Sequence, residues 1–201
     1  AVAYKLNSKL SRTEAVRHNV QNGLSYLQVQ DGAMTTVAKV VDRMSELRTM
    51  ASDVTKNTQD VENYSKEFIE LQSQLNQVSK EKFNGISLFA SSTATAAGTL
   101  KTGTASFSSA SYNSFSRTLL THDSGVSTMG SINLNVVNFQ FMLSINSTKS
   151  GGSGIDLGNI NGSNTGTNIS STGFITDITE VNVSQFTNII ERIADMRAEN
   201  G

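Results

Sequence analysis

Residues 60–88, DVENYSKEFIELQSQLNQVSKEKFNGISL, decide the fold, because a helical pattern ends within them and a β-like pattern begins. The apolar residues of the first part follow one another at alternating steps of three and four residues. This spacing predicts an α-helix with a narrow apolar seam that packs along partner helices. The seam residues, which we predict to pack in the core of a helical rod, are Val61, Tyr64, Phe68, Leu71, Leu75 and Val78.

A tight turn is predicted directly after this helix, at Phe83-Asn84-Gly85. Asn and Gly both tolerate positive φ, and the pair Asn-Gly is a strong signal for a two-residue hairpin turn. We therefore expect the chain to change at this point from helices to strands.

A much longer helix is predicted before the seam helix, because apolar residues recur at helical spacing from about Leu10 to Val54. We expect it to end near Asn57, with Thr58 as the N-cap of the seam helix. Gly23 and Gly32 lower its helix propensity and suggest that a neighbouring element approaches closely there. A helix of this length implies a rod-like bundle rather than a small globule.

The last predicted helix completes the rod. Asn182, with Gln185 three residues later, fits a capping box at its start. An apolar stripe follows, and its length matches that of the seam helix, so we expect the two to lie side by side against the long first helix. The rod-core residues predicted from this stripe are Phe186, Ile190 and Ile193.

Between these helices the composition changes, since residues 91–180 hold only 7 of the 33 charged residues and are rich in Ser, Thr, Gly and Asn. A weak strand is predicted from Phe107 to Leu120. A stronger alternation runs from Ile132 to Ile145, but its phase slips between Val136 and Val137, which predicts a bulge or a break. We therefore predict an α+β fold: a rod-like antiparallel helical bundle of residues 1–88 and 176–201, with an inserted β-rich outer domain at 89–175.

Composition narrows the function. The formal net charge of −1 gives no long-range attraction to nucleic acid or an anionic membrane, and no apolar run reaches the length of about 20 residues that spans a bilayer. The chain has no cysteine, so disulfides and thiolate metal sites are excluded. Its start lacks the apolar segment of a signal peptide, and both ends resemble trimmed helices, so we expect the core of a longer protein.

Enzymatic and metal-binding functions find no support in the sequence. His18 and His122 are the only histidines, and no metal-ligand motif surrounds either. Asp156 lies in a Gly-rich segment that lacks both a phosphate-binding lysine motif and a second acidic ligand close by. We expect a protein that is not an enzyme and has no cofactor.

Three segments, in this order, resemble bacterial flagellin. Residues 17–57, RHNVQNGLSYLQVQDGAMTTVAKVVDRMSELRTMASDVTKN, resemble its long N-terminal rod helix. Residues 60–89 resemble its second rod helix and the following FNG turn. Residues 189–201, IIERIADMRAENG, resemble its C-terminal rod helix. Together they lie in the two helical ends of the chain, around an insert of the variable kind.

The resemblance implies a structural subunit of the bacterial flagellar filament that assembles with other flagellin subunits and serves motility. It implies an extracellular location, in the flagellum, reached without a cleaved signal peptide. It also implies a possible partner, an innate immune receptor of the Toll-like class that recognises the rod. The family motif then places the candidate receptor surface on Arg43, Leu47 and Glu67, while Arg48 and Met50 depart from the motif.

Two alternatives stay open. The hook–filament junction protein is a flagellin relative that shares the rod helices, although Phe83-Asn84-Gly85 favours flagellin. A surface adhesin would use the polar insert to bind a ligand such as a polysaccharide, but the insert shows no aromatic platform for stacking on sugars.

Overall fold

The computed structural model describes residues 1–90, 101–104, 111–138, 142–145, 155–156, 175–181 and 183–201. In these residues the main elements are helices α1 (Val2–Ala51), α2 (Thr58–Ser79) and α3 (Val183–Asn200). Short strands connect α2 to a larger sheet, and a 3₁₀ turn (Ile178–Glu180) precedes α3. The predicted α+β class is confirmed: a long N-terminal helix and its partners form a helical part that carries a β-containing part.

Helix α1 is 50 residues long and starts earlier than predicted, at Val2 instead of near Leu10. Its first 22 residues are almost entirely exposed. Leu10 and Leu24, which belong to the predicted apolar stripe, are 61% and 57% exposed. From Tyr26 onward one face of α1 is continuously buried. The apolar pattern therefore predicts the helix correctly, but only its second half packs against partners within the described part of the chain.

The boundary between α1 and α2 differs from the prediction by a few residues. α1 ends at Ala51, before the predicted terminator Asn57. Asn57 is instead the N-cap of α2: its side-chain oxygen accepts a hydrogen bond from the Asp60 amide (2.8 Å), and the Asp60 carboxylate accepts one from the Asn57 amide (3.2 Å). Thr58, predicted as the cap, is the first helical residue, because this reciprocal pair satisfies two backbone donors at the helix start.

Helices α2 and α3 both pack on α1, as predicted, and contact each other through Phe68 and Phe186, whose ring centroids are 6.0 Å apart in an edge-to-face arrangement. The core is one continuous cluster that also includes residues from the base of the insert, among them Phe89, Val137 and Leu143. The rod and the base of the insert therefore share a single apolar core.

The predicted Asn-Gly turn is confirmed. It joins β1 (Lys82–Phe83) to β2 (Ile86–Ser87), which pair antiparallel. Asn84 and Gly85 have φ values of 49° and 77°, so both occupy the left-handed region that this kind of turn requires. The ring of Phe83 packs edge-to-face on Tyr26 of α1 and holds the hairpin against the rod.

The larger sheet contains β3 (Phe89–Ala90), β4 (Lys101–Thr104), β5 (Ser111–Leu120) and β6 (Ser131–Asn138) in the order β3-β6-β5-β4. β5 corresponds to the predicted weak strand. β6 pairs antiparallel with β5, with a continuous register from Leu120↔Ser131 to Phe115↔Val136, and pairs parallel with β3 at Phe89↔Val137.

The predicted bulge or break between Val136 and Val137 falls where β6 changes its pairing partner: its register with β5 ends at Val136, and its pairing with β3 begins at Val137. Both side chains are buried, at 3% and 1% exposure, and only Val137 belongs to the rod core. The alternation that extends to Ile145 spans more than one strand: β6 ends at Asn138, and β7 (Ser144–Ile145) is separate and pairs with β8 (Ile155–Asp156). Residues 139–141 of that alternation lie outside the described residues.

Only one of the two helical glycines marks a close contact. A Cβ on Gly23 would lie 2.8 Å from Leu119 Cδ2 of β5, whereas a Cβ on Gly32 would meet nothing within 4 Å. Gly23 therefore lets the sheet approach α1, and the expectation for Gly32 is wrong. The predicted capping residue of α3, Asn182, lies outside the described residues.

The two glycines give a matched test of this packing. We expect Gly32→Ala to raise the free energy of unfolding by up to about 1 kcal/mol, because alanine favours the helix and the site is open. Gly23→Ala gains the same propensity but must displace Leu119, so its stabilisation should be clearly smaller or reversed. Thermal and urea unfolding followed by circular dichroism would measure both variants. Equal gains would contradict the close contact.

Candidate functional site on the helical rod

An ion-pair cluster on the rod surface joins α1 to α2. Arg43 Nε donates to Glu67 Oε1 at 2.8 Å and Arg43 Nη2 to Glu67 Oε2 at 3.3 Å, while Nη1 donates to Glu46 Oε1 at 2.8 Å. Hydrogen bonding to Glu67, together with the charges of both glutamates, raises the pKa of Arg43 above its ordinary value. Because the side chains of this cluster are exposed to solvent, the ion pairs contribute little to the free energy of unfolding.

Of the three candidate receptor-surface residues, the structure therefore brings Arg43 and Glu67 together at the surface. Leu47 differs, because its side chain is 0% exposed and lies in the core shared by the three helices. The apolar stripe of α1 accounts for this position, so Leu47 has no surface to offer a partner.

The predicted rod-core residues lie along the contact between the three helices. Phe68, Leu75 and Phe186 are completely buried, and Leu71, Val78 and Ile193 are at most 7% exposed. Val61, Tyr64 and Ile190 are half-buried and pack at the edge of the same cluster. Val61 and Tyr64 belong to the first two turns of α2, where the cover by neighbouring elements is incomplete.

Arg48, which departs from the family motif, ties the end of α1 to the segment before α3. Its Nε donates to the Val181 carbonyl and its Nη1 to Ser52 Oγ, both at 2.6 Å. Its charge also contributes to a lowered pKa of Asp177, for which hydrogen bonds from the Thr179 side chain and amide are the larger causes. The guanidinium is thus used within the molecule. Met50, the second departure, packs half-buried against the core.

The chain leaves the rod for the insert through residues 87–88, and two side chains of α1 hold this segment. Tyr26 Oη donates to the Ser87 carbonyl at 2.9 Å, and Gln30 Nε2 donates to the Leu88 carbonyl at 2.7 Å. Gln30 is completely buried. Because an unpaired buried carbonyl costs about 1–3 kcal/mol, these bonds make the buried course of the segment tolerable.

The chain returns through residues 175–181, which α2 holds in the same way. The Gln72 amide pairs with the backbone of Ile175 in both directions: Nε2 donates to the carbonyl at 2.7 Å, and Oε1 accepts from the amide at 2.9 Å. Ser65 Oγ accepts from the Ile178 amide at 3.2 Å. A side-chain amide has the donor and acceptor of a peptide group, so Gln72 takes the place of a neighbouring strand.

We call Tyr26, Gln30, Ser65, Gln72 and Arg48 the stem clasps, because each binds the backbone of a segment that leads into or out of the insert. Sequence reasoning missed them. The available signal was a polar residue within or beside an apolar stripe: Gln72 lies one turn after Phe68, and Gln30 one turn after Tyr26.

The end of α3 is fastened to α1. Arg197 forms two hydrogen bonds with the carboxylate of Asp31, at 2.8 and 3.3 Å, and these bonds raise the pKa of Arg197. Asn200 Nδ2 donates to Gln30 Oε1. Gln30 therefore contacts both Leu88, where the chain leaves the rod for the insert, and Asn200 in the last turn of α3.

The described residues contain no group of three or more His, Cys, Asp or Glu that could hold a metal ion. His122 Nδ1 lies 3.1 Å from Asp123 and 2.9 Å from Ser124 Oγ, and His18 is exposed on α1. No described helix is long and apolar enough to cross a membrane.

Removing one clasp should loosen the return segment. We expect Gln72→Leu to lower the free energy of unfolding by about 2 kcal/mol or more, because the amide and carbonyl of Ile175 lose their partners while they stay buried. Gln74→Leu, on the exposed face of the same helix, is the control and should change stability little. Urea denaturation measures both, and equal effects would show that the pairing contributes nothing.

Comparisons with known proteins agree with this architecture. Residues 1–94 match the family model of the bacterial flagellin N-terminal helical region. The solved structure of Bacillus cereus flagellin superposes with a TM-score of 0.53 at 21% sequence identity, and the match covers 92% of this chain and 81% of that one. A comparison with curated protein sequences gives no match. The resemblance to flagellin is thus confirmed: residues 1–94 match the N-terminal helical region of bacterial flagellins, and the chain shares the fold of a solved flagellin.

Proposed function

We propose that the chain is a structural subunit of the bacterial flagellar filament, which assembles with other copies through its helical rod and serves motility. Flagellins are structural proteins, and the match over residues 1–94 supports this role. The observation that carries the proposal is the shape of α1: its second half builds a closed core with α2 and α3, whereas its first 22 residues extend with their side chains exposed. An exposed helix with apolar residues offers a polymer contact surface.

The helical rod and the insert would have different roles in the filament. The rod, residues 1–88 and 176–201, would provide subunit contacts, and the insert, residues 89–175, would form the outer part of the filament. The shared core at Phe89, Val137 and Leu143 supports a fixed orientation of the insert's base on the rod. Such a subunit acts outside the cell, in the flagellum, and we propose that it is exported without a cleaved signal peptide.

A Toll-like innate immune receptor is a second proposed partner. Arg43 and Glu67 are about two-fifths exposed and lie together, so a receptor could contact them, while Leu47 could not be reached in the folded rod. Arg48 lies nearby with its guanidinium bound to Val181 and Ser52. Binding to the receptor would therefore rest on the charged pair, and not on the complete set expected from the family motif.

Seeded filament growth tests the proposed role. Purified chain is added to short fragments of the native filament, and elongation is followed by electron microscopy. We expect the seeds to grow. Val54→Asp, at a residue that is 97% exposed beyond the end of α1, should grow as well, whereas Phe68→Asp places a charge in the rod core and should abolish growth.

Failure of the unmodified chain to extend the seeds would contradict a role as the repeating filament subunit. If the protein were then found in cells only at the boundary between hook and filament, the junction-protein alternative would take its place.

A further inference from the structure

The extended first part of α1 carries a basic and apolar face. In the described residues the only ion pair on this face joins Arg12 Nη2 to Asp123 of the insert, at 3.7 Å. Lys5 and Lys9 are one turn apart, and Leu6 and Leu10, which are 63% and 61% exposed, follow beside them. Residues 1–22 hold four basic side chains against one acidic one, Glu14. This part of the helix is therefore positively charged as well as apolar.

Helix α3 presents the opposite charge to solvent. Glu191, Asp195 and Glu199 follow one another at steps of four residues and are all exposed, so they form one acidic row. Ala194 and Ala198, also exposed, lie beside this row at the same spacing. An acidic row next to small side chains can receive another helix at close distance.

We propose that the basic and apolar face of α1, around Lys5, Leu6, Lys9 and Leu10, docks on the acidic face of α3 in a second copy of this chain. The leucines would pack over Ala194 and Ala198, and the lysines would pair with the acidic row. The inference rests on the proposed filament function and names the surfaces through which two subunits meet.

Charge complementarity selects α3 over the other acidic helix. On α2, Glu62 is paired with Lys66 and Glu67 with Arg43, so acidic and basic groups alternate there. On α3, Arg197 is bound by Asp31 of α1, and within the described residues no ion pair engages the acidic row. A basic helix therefore meets a row of three acidic groups on α3, whereas Glu70 of α2 is a single exposed acidic group without an ion pair in the described residues.

The contact must join different molecules. Asp31 of α1 lies level with Arg197 of α3, and Leu10 precedes Asp31 by 21 residues, which is about 32 Å along a helix. The two faces of one rod are thus too far apart to meet. Since they are different surfaces, their pairing is head-to-tail and can propagate from copy to copy.

Cross-linking between two variants tests the contact, and the absence of native cysteine makes it specific. Thr13→Cys is placed beside the basic face, and Ala198→Cys on the acidic face of a second protein that carries an affinity tag. After mixing with a short bis-maleimide, we expect the mixed dimer to form at least about tenfold faster than with the Thr49→Cys control, because docking raises the effective concentration of the thiols. Thr13 and Thr49 are both exposed, and each makes one local hydroxyl bond to the carbonyl four residues earlier.

Charge reversal then separates docking from chance collision. Lys5→Glu with Lys9→Glu in the Thr13→Cys protein should reduce cross-linking to the control rate, and Glu191→Lys with Asp195→Lys in the partner should restore it. Lys39→Glu with Lys80→Glu changes the net charge equally at exposed sites elsewhere and should have no such effect. Salt at about 1 M should also weaken docking, because the Debye length then falls to about 3 Å.

A cross-linking rate equal to that of the Thr49→Cys control, or a rate insensitive to the reversed charges, would overturn the proposed contact. If seeded filaments grow in that case, the contact is wrong and the filament function stands. If cross-linking is fast but seeds do not grow, the contact stands and the filament function fails.

Discussion

The structure depends on one constraint: the two segments that lead into and out of the insert pass through the apolar core of the rod, and their backbone groups must be paired there. An unpaired peptide group at such a place costs about as much as a lost hydrogen bond. In the return segment, Gln72 pairs with the backbone amide and carbonyl of Ile175. In the segment that leads into the insert, Gln30 donates a hydrogen bond to the Leu88 carbonyl. These side chains do what a strand would do in a sheet.

The consequence is a rod whose core and insert base are one unit. Val137 and Leu143, although remote in sequence from the helices, pack in the same cluster as Phe68 and Phe186. The stem clasps bind residues 87–88 and 175–181 at defined positions along α1 and α2, so the base of the insert has a defined position on the rod. For a subunit that repeats in a polymer, such a defined position would present the insert in the same way on every copy.

How much of this follows from the sequence depends on the kind of interaction. The helices follow from the local periodicity of apolar residues, and the turn follows from the backbone preferences of Asn84 and Gly85. Both signals can be read from neighbouring residues in the sequence. Periodicity could not tell that the first half of α1 is exposed while the second half is buried, because an apolar stripe looks the same with or without its partner. The family motif suggested Leu47 as a contact residue, whereas the apolar stripe of α1 agrees with its enclosed side chain.

Other features needed long-range information. Val136 and Val137 are both buried at the point where β6 changes its pairing partner from β5 to β3, which alternation within one strand cannot reveal. Asn57 and Thr58 are both good caps, and only the reciprocal bond with Asp60 distinguishes them. The clasps join residues that are 58 to 133 positions apart, so the sequence marks them only as polar residues in or near an apolar stripe.

Amide hydrogen exchange by NMR is the most direct measurement of whether the clasps hold the return segment on the rod. The Ile175 amide lies outside any helix or sheet ladder, and the Ile178 amide belongs to the first residue of the 3₁₀ turn; side chains of α2 are the acceptors of both. We expect both to exchange as slowly as the core amides of α2, such as that of Leu75, because opening them requires the rod to open. Exchange at the rate of an unprotected loop would show that the segment is not fastened and would contradict the central role of the clasps.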